Sequence, residues 1–442
     1  MNRALWLSAA LIGCTGKLSI SEFDVVPSGD IVTVATVSWT SDGGEALSVE
    51  YGATEDFGQS TPTSTSGTMY LLGLKPETEH FARLVLTDGD DVQYSETVSF
   101  TTGLLPNSLA TLTATGSTDD DFYMSVPLLT AGELAIPSII DNNGDFAWYY
   151  LDESGLDVYR TRLSLDGQSV LYNAGSVSGD PAADSKIYRV ALDGSSIEEI
   201  EVPLLAHDFV ELPDGTIGAM ATEYRDGELD GEPFTFRGDQ IIEIAPDGSQ
   251  SVAWSAWDCF DPSEVIGDSI EQGWTFGNAL DYDPDDDVYY FGMRNFSSIA
   301  RIDRQTGSCD WVFGSTGATI EPDGSSDVFL HQHQFQVLDD SLLVFDNDGS
   351  TERTSRVLEY SFDGSTTPVE QIWSYVPEND LYTFVLGDVN RFDDGDTLVT
   401  WSVLGQIDRV TAAGESEWTL NTDLGFVFGF NTVTTSLYVA DQ

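Results

Sequence analysis

The stretch HDFVELPDGTIGAMAT, residues 207–222, reads as two short strands around a Pro213-Asp214-Gly215 turn. Apolar and β-branched residues flank a turn whose Asp-Gly pair tolerates the backbone angles of a tight reversal. The same unit recurs at residues 159–172 (turn Leu165-Asp166-Gly167), 278–292 (Pro284-Asp285-Asp286), 333–347 (Leu338-Asp339-Asp340), 387–402 (Phe392-Asp393-Asp394-Gly395) and 429–440. A second hairpin follows each of the first five, usually with an aromatic residue on its last strand: 241–254, 300–311, 357–373 and 407–418 end on tryptophan, and 186–200 is a weaker copy. Six first hairpins with five second hairpins leave one partner missing, and residues 135–150 supply it upstream. Repetition of this kind predicts an all-β fold, a six-bladed β-propeller closed by strands from both ends of the domain, covering residues 108–442.

Upstream, residues 18–103 alternate in short runs such as Ile31–Trp39 and read as a small β-sandwich. The segments Leu74-Lys75-Pro76-Glu77-Thr78-Glu79-His80-Phe81 and Val98-Ser99-Phe100-Thr101-Thr102-Gly103 resemble the end of a fibronectin type III domain, with His80 where that family has a corner tyrosine. A ring with a polar tip there bridges back to the backbone, so His80 is expected to be structural.

Residues 1–13 carry one base, Arg3, and a short apolar run that ends at Leu11-Ile12-Gly13-Cys14. The run is too short to span a bilayer and reads as a signal peptide. Its end resembles a bacterial lipobox, which implies cleavage before Cys14, lipidation of that thiol and export to the cell envelope, in the outer membrane or periplasm. The lipid on Cys14 is then the only expected attachment to a membrane. An exported compartment permits a disulfide between Cys259 and Cys309. The repeat places these cysteines at opposite ends of equivalent strands, so only loop excursions would join them, and the pairing stays open at this point.

Charge excludes several functions. The 442 residues carry 75 acids against 17 bases, a net −58. Such a surface repels nucleic acid and anionic lipid, and an anionic ligand would need a local positive pocket. Runs such as Asp119-Asp120-Asp121 and Asp285-Asp286-Asp287 lack the spacing of a calcium loop and read as solvated surface.

Histidine is scarce, with four in the chain. Aligned on their turns, the six first hairpins bring Tyr159, His207, Asn278, His333, Gly387 and Gly429 to one slot near the start of the innermost strand. All three propeller histidines, His207, His331 and His333, therefore map to one mouth of the central channel. Arg294, Asp346 and Asn347 fall where return strands reach the same mouth. Two imidazoles with a guanidinium suit an oxyanion better than a metal, because Arg beside a dication is unfavourable and Arg presents a fork to sulfate or phosphate oxygens. No metal site and no cofactor are expected. A neutral imidazole is also a nucleophile able to form a covalent intermediate.

Several segments in order along residues 105–442 resemble the bacterial arylsulfotransferases: HDFVELPDG at 207–215, NALDYDPDDD at 278–287, IDRQTG at 302–307, QHQF at 332–335 and LVFDN at 343–347. The resemblance implies a sulfotransferase that uses no nucleotide donor. It moves a sulfuryl group from an aryl sulfate to a phenolic acceptor through a transiently sulfated histidine. By position, it implies His333 as the nucleophile, with His207 and Arg294 as further catalytic residues, and Asn278 and Asn347 beside the substrate. The family motif Trp-x-His-x-Asn reads Trp274-Thr275-Phe276-Gly277-Asn278 here, so Phe276 stands in place of a histidine. Three outcomes are then open: His331, at the same offset before His333, stands in for the missing donor; Phe276 meets the substrate ring; or the site has lost its catalysis. The alternative function is a non-catalytic surface lipoprotein whose propeller binds a ligand or protein. Oligomeric state is not readable from the sequence.

Overall fold

The structure, a computed structural model, describes residues 20–41, 46–88, 91–130, 134–175, 182–264, 273–324, 326–348, 354–362, 368–378, 381–423 and 425–439. The signal segment 1–13 and Cys14 lie outside them. The chain divides into two compact units, residues 1–104 with 440–442, and residues 105–439.

The first unit holds two antiparallel sheets, one of Ile20–Pro27, Ala35–Ser41 and Thr68–Leu71, the other built on Ser48–Gly52 and Glu79–Asp88. Alternation along the strands buries Val37, Trp39, Val49, Tyr51 and Leu84 between them. His80 is buried, and its Nε2 lies 3.0 Å from the Lys75 carbonyl, the backbone bridge expected of it.

The second unit is a β-propeller. Among the described residues, four of its sheets are four-stranded antiparallel meanders, each made of one first hairpin and one second hairpin. The sheet carrying His207, for example, runs Leu205–Glu211, Ile217–Leu229, Glu232–Ile244 and Gln250–Ser255. A fifth sheet, Asp388–Arg391 to Ser416–Thr422, takes Leu112–Gly116 as an added outer strand.

Closure differs in one respect from the sequence expectation. The C-terminal repeat at 429–440 contributes only one strand to its sheet, Thr432–Thr434. The second place is taken by Tyr123–Ser125, followed by Ser138–Asp141 and Phe146–Tyr149. After Thr434 the chain turns away, with the Thr434 hydroxyl bonded to the Ser436 carbonyl, and the N-terminal strand satisfies the backbone it leaves unpaired. Phe426–Phe428 likewise pairs with Leu128–Thr130. Both ends of the unit therefore seal the ring, as the repeat count implied.

The first strands of the sheets meet at a buried polar hub. Arg160, just before Thr161–Leu163, donates from Nε and Nη2 to Asp208 Oδ1 and Oδ2, both at 3.0 Å, and from Nη1 to Asp388 Oδ2 at 3.2 Å and the Asn431 carbonyl at 2.8 Å. Asp208 also accepts from the Leu280 N–H and from Gln334 Nε2, which reaches the Asn278 carbonyl as well. Asn431 N–H closes the circuit onto Asp388 at 2.7 Å. Burial penalises the Asp208 carboxylate, but Arg160 and Arg162 outweigh it and hold its pKa below the usual range. Asp388 is pushed up to about 7 by burial, with Arg160 only partly offsetting it.

Cys259 and Cys309 are joined, with Cα atoms 6.1 Å apart. The excursion that permits this is a short 3₁₀ turn, Ala256–Asp258, which carries Cys259 off the end of Gln250–Ser255 toward the start of Cys309–Gly314. The bridge links the outer strands of neighbouring sheets.

Removing the hub cation should be severe. Arg160→Met leaves Asp208 and Asp388 buried without their main partner, which costs about 3–5 kcal/mol. Urea unfolding of the full chain should show a correspondingly lower midpoint; an unchanged midpoint would mean that the hub does not hold the ring together.

Candidate functional site

The hub residues Arg160, Asp208, Gln334 and Asp388 each follow a slot residue by one position, and the slots Tyr159, His207 and His333 reach the mouth. A cavity of about 680 Å³ opens there, lined by Tyr159, His207, Phe276, Arg294 and His333 on one side and by an apolar wall that includes Leu129, Val385, Leu386, Leu404 and Phe426. Glycine is required at two slots for room. A Cβ on Gly387 would lie 2.2 Å from the Phe345 ring, and one on Gly429 2.6 Å from Pro127 and from the Tyr159 carbonyl.

His333 is buried on the segment entering Phe335–Val337, and its N–H donates to the Phe345 carbonyl. Its Nδ1 lies 2.5 Å from Asn347 Oδ1. Asn347 Nδ2 donates to the Thr383 and Leu386 carbonyls at 2.7 and 2.9 Å. Those carbonyls only accept, so the amide nitrogen must face them and its oxygen must face the imidazole. His333 therefore carries its proton on Nδ1, and Nε2 keeps its lone pair. Burial holds the imidazole well below its ordinary pKa; the Asn347 bond acts the other way, and Arg294 adds to the lowering.

His207, in strand Leu205–Glu211, sits between Tyr159 and Phe276, at ring distances of 5.9 and 5.4 Å. Burial first, then the charge of Arg237, bring its pKa down to about 3, so it is neutral. Arg294 follows the return strand Val288–Met293. Its guanidinium stands 5.5 Å from the Phe276 ring and donates to Asn295 Oδ1, and among the described residues it forms no ion pair with a carboxylate. In a chain with 75 acids, an arginine without an ion pair among the described residues is suited to an outside anion.

Phe276 and His331, two residues before equivalent slots of adjacent sheets, share a left-handed backbone, with φ of 49° and 55°. The conformation is costly for a bulky side chain and persists only where surroundings enforce it. At Phe276 they do. Buried Asp239 accepts from Thr275 Oγ1 at 2.5 Å and from the Gly277 N–H at 2.7 Å, one bond on each side of the phenylalanine, and the Phe276 carbonyl accepts from the Arg294 N–H at 3.0 Å. At His331 the N–H donates to Ser297 Oγ at 3.0 Å.

The sequence-derived residues thus separate into two groups. His333, His207, Arg294 and Phe276 line one cavity. Asn278, Asn347 and His331 do not line it. Asn278 is fully buried and donates to the Gln332 carbonyl at 2.6 Å, fixing the segment that carries His333. Asn347 buttresses His333 from behind, and His331 is half-buried close enough to Arg294 for that charge to lower its pKa further after burial. Sequence reasoning missed Asp239 and Arg237. Their contacts run between distant parts of the chain, and no local pattern marks them. Among the described residues no group of three or more His, Cys, Asp or Glu is disposed to hold a metal ion.

A family model described as Arylsulfotransferase (ASST) matches residues 108–423. Solved structures similar to the chain include a protein of unknown function from Bacteroides caccae (14% identity, 71% of this chain and 100% of that one, TM-score 0.44). Others are virginiamycin B lyase from Staphylococcus aureus (14%, 74% and 99%, TM-score 0.40) and the β-propeller domain of Cps50 from Myceliophteria thermophila (10%, 70% and 88%, TM-score 0.38). No curated protein matches the chain.

The neutral histidines set a pH dependence. Between the ordinary imidazole value of 6.5 and about 3, the unfolded chain binds a proton at His207 that the native site refuses. Native stability is therefore full above pH 6.5 and falls as pH drops through that window, by up to about 1.4 kcal/mol per unit for this group. In His207→Phe, unfolding free energy measured between pH 6 and 4 should fall less steeply than in the parent. Equal slopes would show that His207 is not held neutral.

Proposed function

The chain belongs to the arylsulfotransferase family, and on that premise we propose that it transfers a sulfuryl group from an aryl sulfate to a phenol through a sulfated His333. The observation that carries this is the pairing of a free His333 Nε2 lone pair with an arginine that no carboxylate among the described residues neutralises, in one largely apolar cavity.

In the first half-reaction His333 Nε2 attacks sulfur in line. An N–S bond forms as the S–O(aryl) bond breaks, and the aryl oxide leaves with the electron pair. Arg294 takes equatorial sulfuryl oxygens with its fork, and neutral His207, whose ring is bonded to the Gly277 backbone, lines the site beside it. Donors of this kind, aimed at developing charge in a dry site, are each worth about 10²–10³ in rate. In the second half, the acceptor phenol releases its proton, which balances the proton taken up by the departed aryl oxide; its oxygen attacks sulfur, an O–S bond forms as the N–S bond breaks, and Nε2 regains its electron pair, which gives ping-pong kinetics. Phe276 supplies no donor. Its ring, tilted against His207 and lying under the Arg294 guanidinium, offers an apolar face to the aryl group instead.

The protein acts outside the cytoplasm in this reading, anchored by a lipid on Cys14. The Cys259–Cys309 disulfide fits an oxidising compartment.

The test is turnover of 4-nitrophenyl sulfate with a phenol as acceptor. Nitrophenolate release should appear, with one sulfuryl group on His333 by mass spectrometry, and His333→Ala should abolish both. Because His333 is held neutral, kcat/KM should stay level as pH falls below 6.5, where an ordinary imidazole would protonate and lose activity. No release and no adduct across several donors and acceptors would replace this reading with that of a ligand-binding lipoprotein.

A further inference from the structure

The apolar wall of the cavity and the nucleophile share a single support. Residues 383–386 enter the wall through Val385 and Leu386. The same residues hold Asn347, through the Thr383 and Leu386 carbonyls, and Asn347 holds His333 Nδ1. Leu386 contributes to both, since its residue lines the cavity while its carbonyl receives the amide.

This segment is not a casual surface loop. Leu386 is left-handed, with φ of 58°, and the next residue is Gly387, packed against Phe345. Ser355 ties the segment down, accepting from the Thr383 N–H at 3.0 Å and donating to its carbonyl at 3.1 Å. Thr383 Oγ1 donates to the Val385 carbonyl at 2.9 Å, and the Gly387 N–H donates to Ser402 Oγ at 2.9 Å. A strained turn pinned at both ends and aimed at the site is a feature that its surroundings must actively maintain.

We propose that Asn347 is a positioning residue that commits His333 to attack through Nε2, and that the 383–386 segment couples packing of the aryl group to that alignment. The inference rests on the sulfuryl-transfer reading for its kinetic part only. An aryl ring seated against Leu386 presses on the residue whose carbonyl fixes the amide. A ring that fills the wall keeps the amide, and hence the imidazole, in register. Without Asn347, the Nδ1–H loses its acceptor, and the Nε2–H tautomer, which has no lone pair facing the cavity, becomes populated. A small misplacement of a reacting group costs about 10² in rate.

Three variants of the full chain separate the parts. Asn347→Leu removes the acceptor and the hold on the segment. Asn347→Asp keeps an acceptor for Nδ1–H but turns a carboxylate oxygen toward the two carbonyls. Leu386→Ala leaves Asn347 in place and trims the wall. The readouts are the tautomer of His333, from nitrogen-15 histidine spectra of the resting protein, and the split between kcat and KM with 4-nitrophenyl sulfate.

In the parent, the spectrum should show Nδ1–H alone. Asn347→Leu should mix the tautomers and lower kcat about 10²-fold with KM little changed. Asn347→Asp should restore the tautomer and recover part of kcat, which a merely structural asparagine would not explain. Leu386→Ala should lower kcat as well as raise KM. An unaltered tautomer in Asn347→Leu overturns the positioning role, and a Leu386→Ala effect confined to KM overturns the coupling. The spectra need no turnover, so they decide the positioning even where the parent neither turns over nor becomes sulfated, an outcome that would instead sink the sulfuryl-transfer reading.

Discussion

The bidentate pair between Arg160 and Asp208 is the constraint on which the rest of the propeller depends. A ring of sheets has no single hydrophobic centre, because each sheet packs against its two neighbours and the innermost strands converge on a narrow axis. What fills that axis must satisfy backbone and side-chain groups arriving from every sheet. One guanidinium does so for most of them. It takes both oxygens of Asp208, one of Asp388 and the carbonyl of Asn431, while Gln334 and Leu280 complete Asp208. Replacing a buried pair with apolar groups is often harmless to stability, so the value of this hub lies in register. Arg160, Asp208, Gln334 and Asp388 are each one residue past a slot, and if the hub holds, those slots are held as well.

The site above the hub relies on backbone strain held by burial. Phe276 occupies a left-handed conformation that leucine or phenylalanine avoids, and Asp239 bridges it from both sides. That carboxyl has its own pKa raised by burial, despite the hydrogen bonds and the charge of Arg237. The segment before the slot therefore carries two unfavourable contributions, a strained phenylalanine and a desolvated acid. What they achieve is a ring held between His207 and Arg294, which keeps the guanidinium over an apolar surface.

Much of this was legible in sequence because it is periodic. A repeat that aligns turn to turn also aligns slots, and His207, His333, Gly387 and Gly429 fell into place for that reason. Arg294 was legible as the residue after a return strand. The role of Asn347 was not, because it depends on carbonyls 36 and 39 residues away whose positions no pattern encodes. The closing strand was missed for a different reason. Tyr123–Ser125 is three residues long, too short to show alternation, and its pairing with Thr432–Thr434 crosses nearly the whole unit. The cysteines were undecidable from strand positions because a 3₁₀ turn, not a strand, carries Cys259 to its partner.

The extreme charge of the chain and the chemistry of the site are linked. At a net −58, an anionic donor meets a repulsive surface at long range, and bulk electrostatics cannot draw it in. Salt screens exposed charges beyond about 8–10 Å, whereas a partly buried guanidinium acting at contact is screened far less. Recognition must therefore be local: in the proposed reading, an apolar wall takes the aryl group and Arg294, unpaired among the described carboxylates, takes the anion. The same surroundings that desolvate Arg294 also keep both site histidines neutral. A cation near an imidazole favours its neutral form, and neutrality is what an imidazole needs to use its lone pair, so in the sulfuryl-transfer reading binding the anion and arming the nucleophile come from one arrangement of charge and burial.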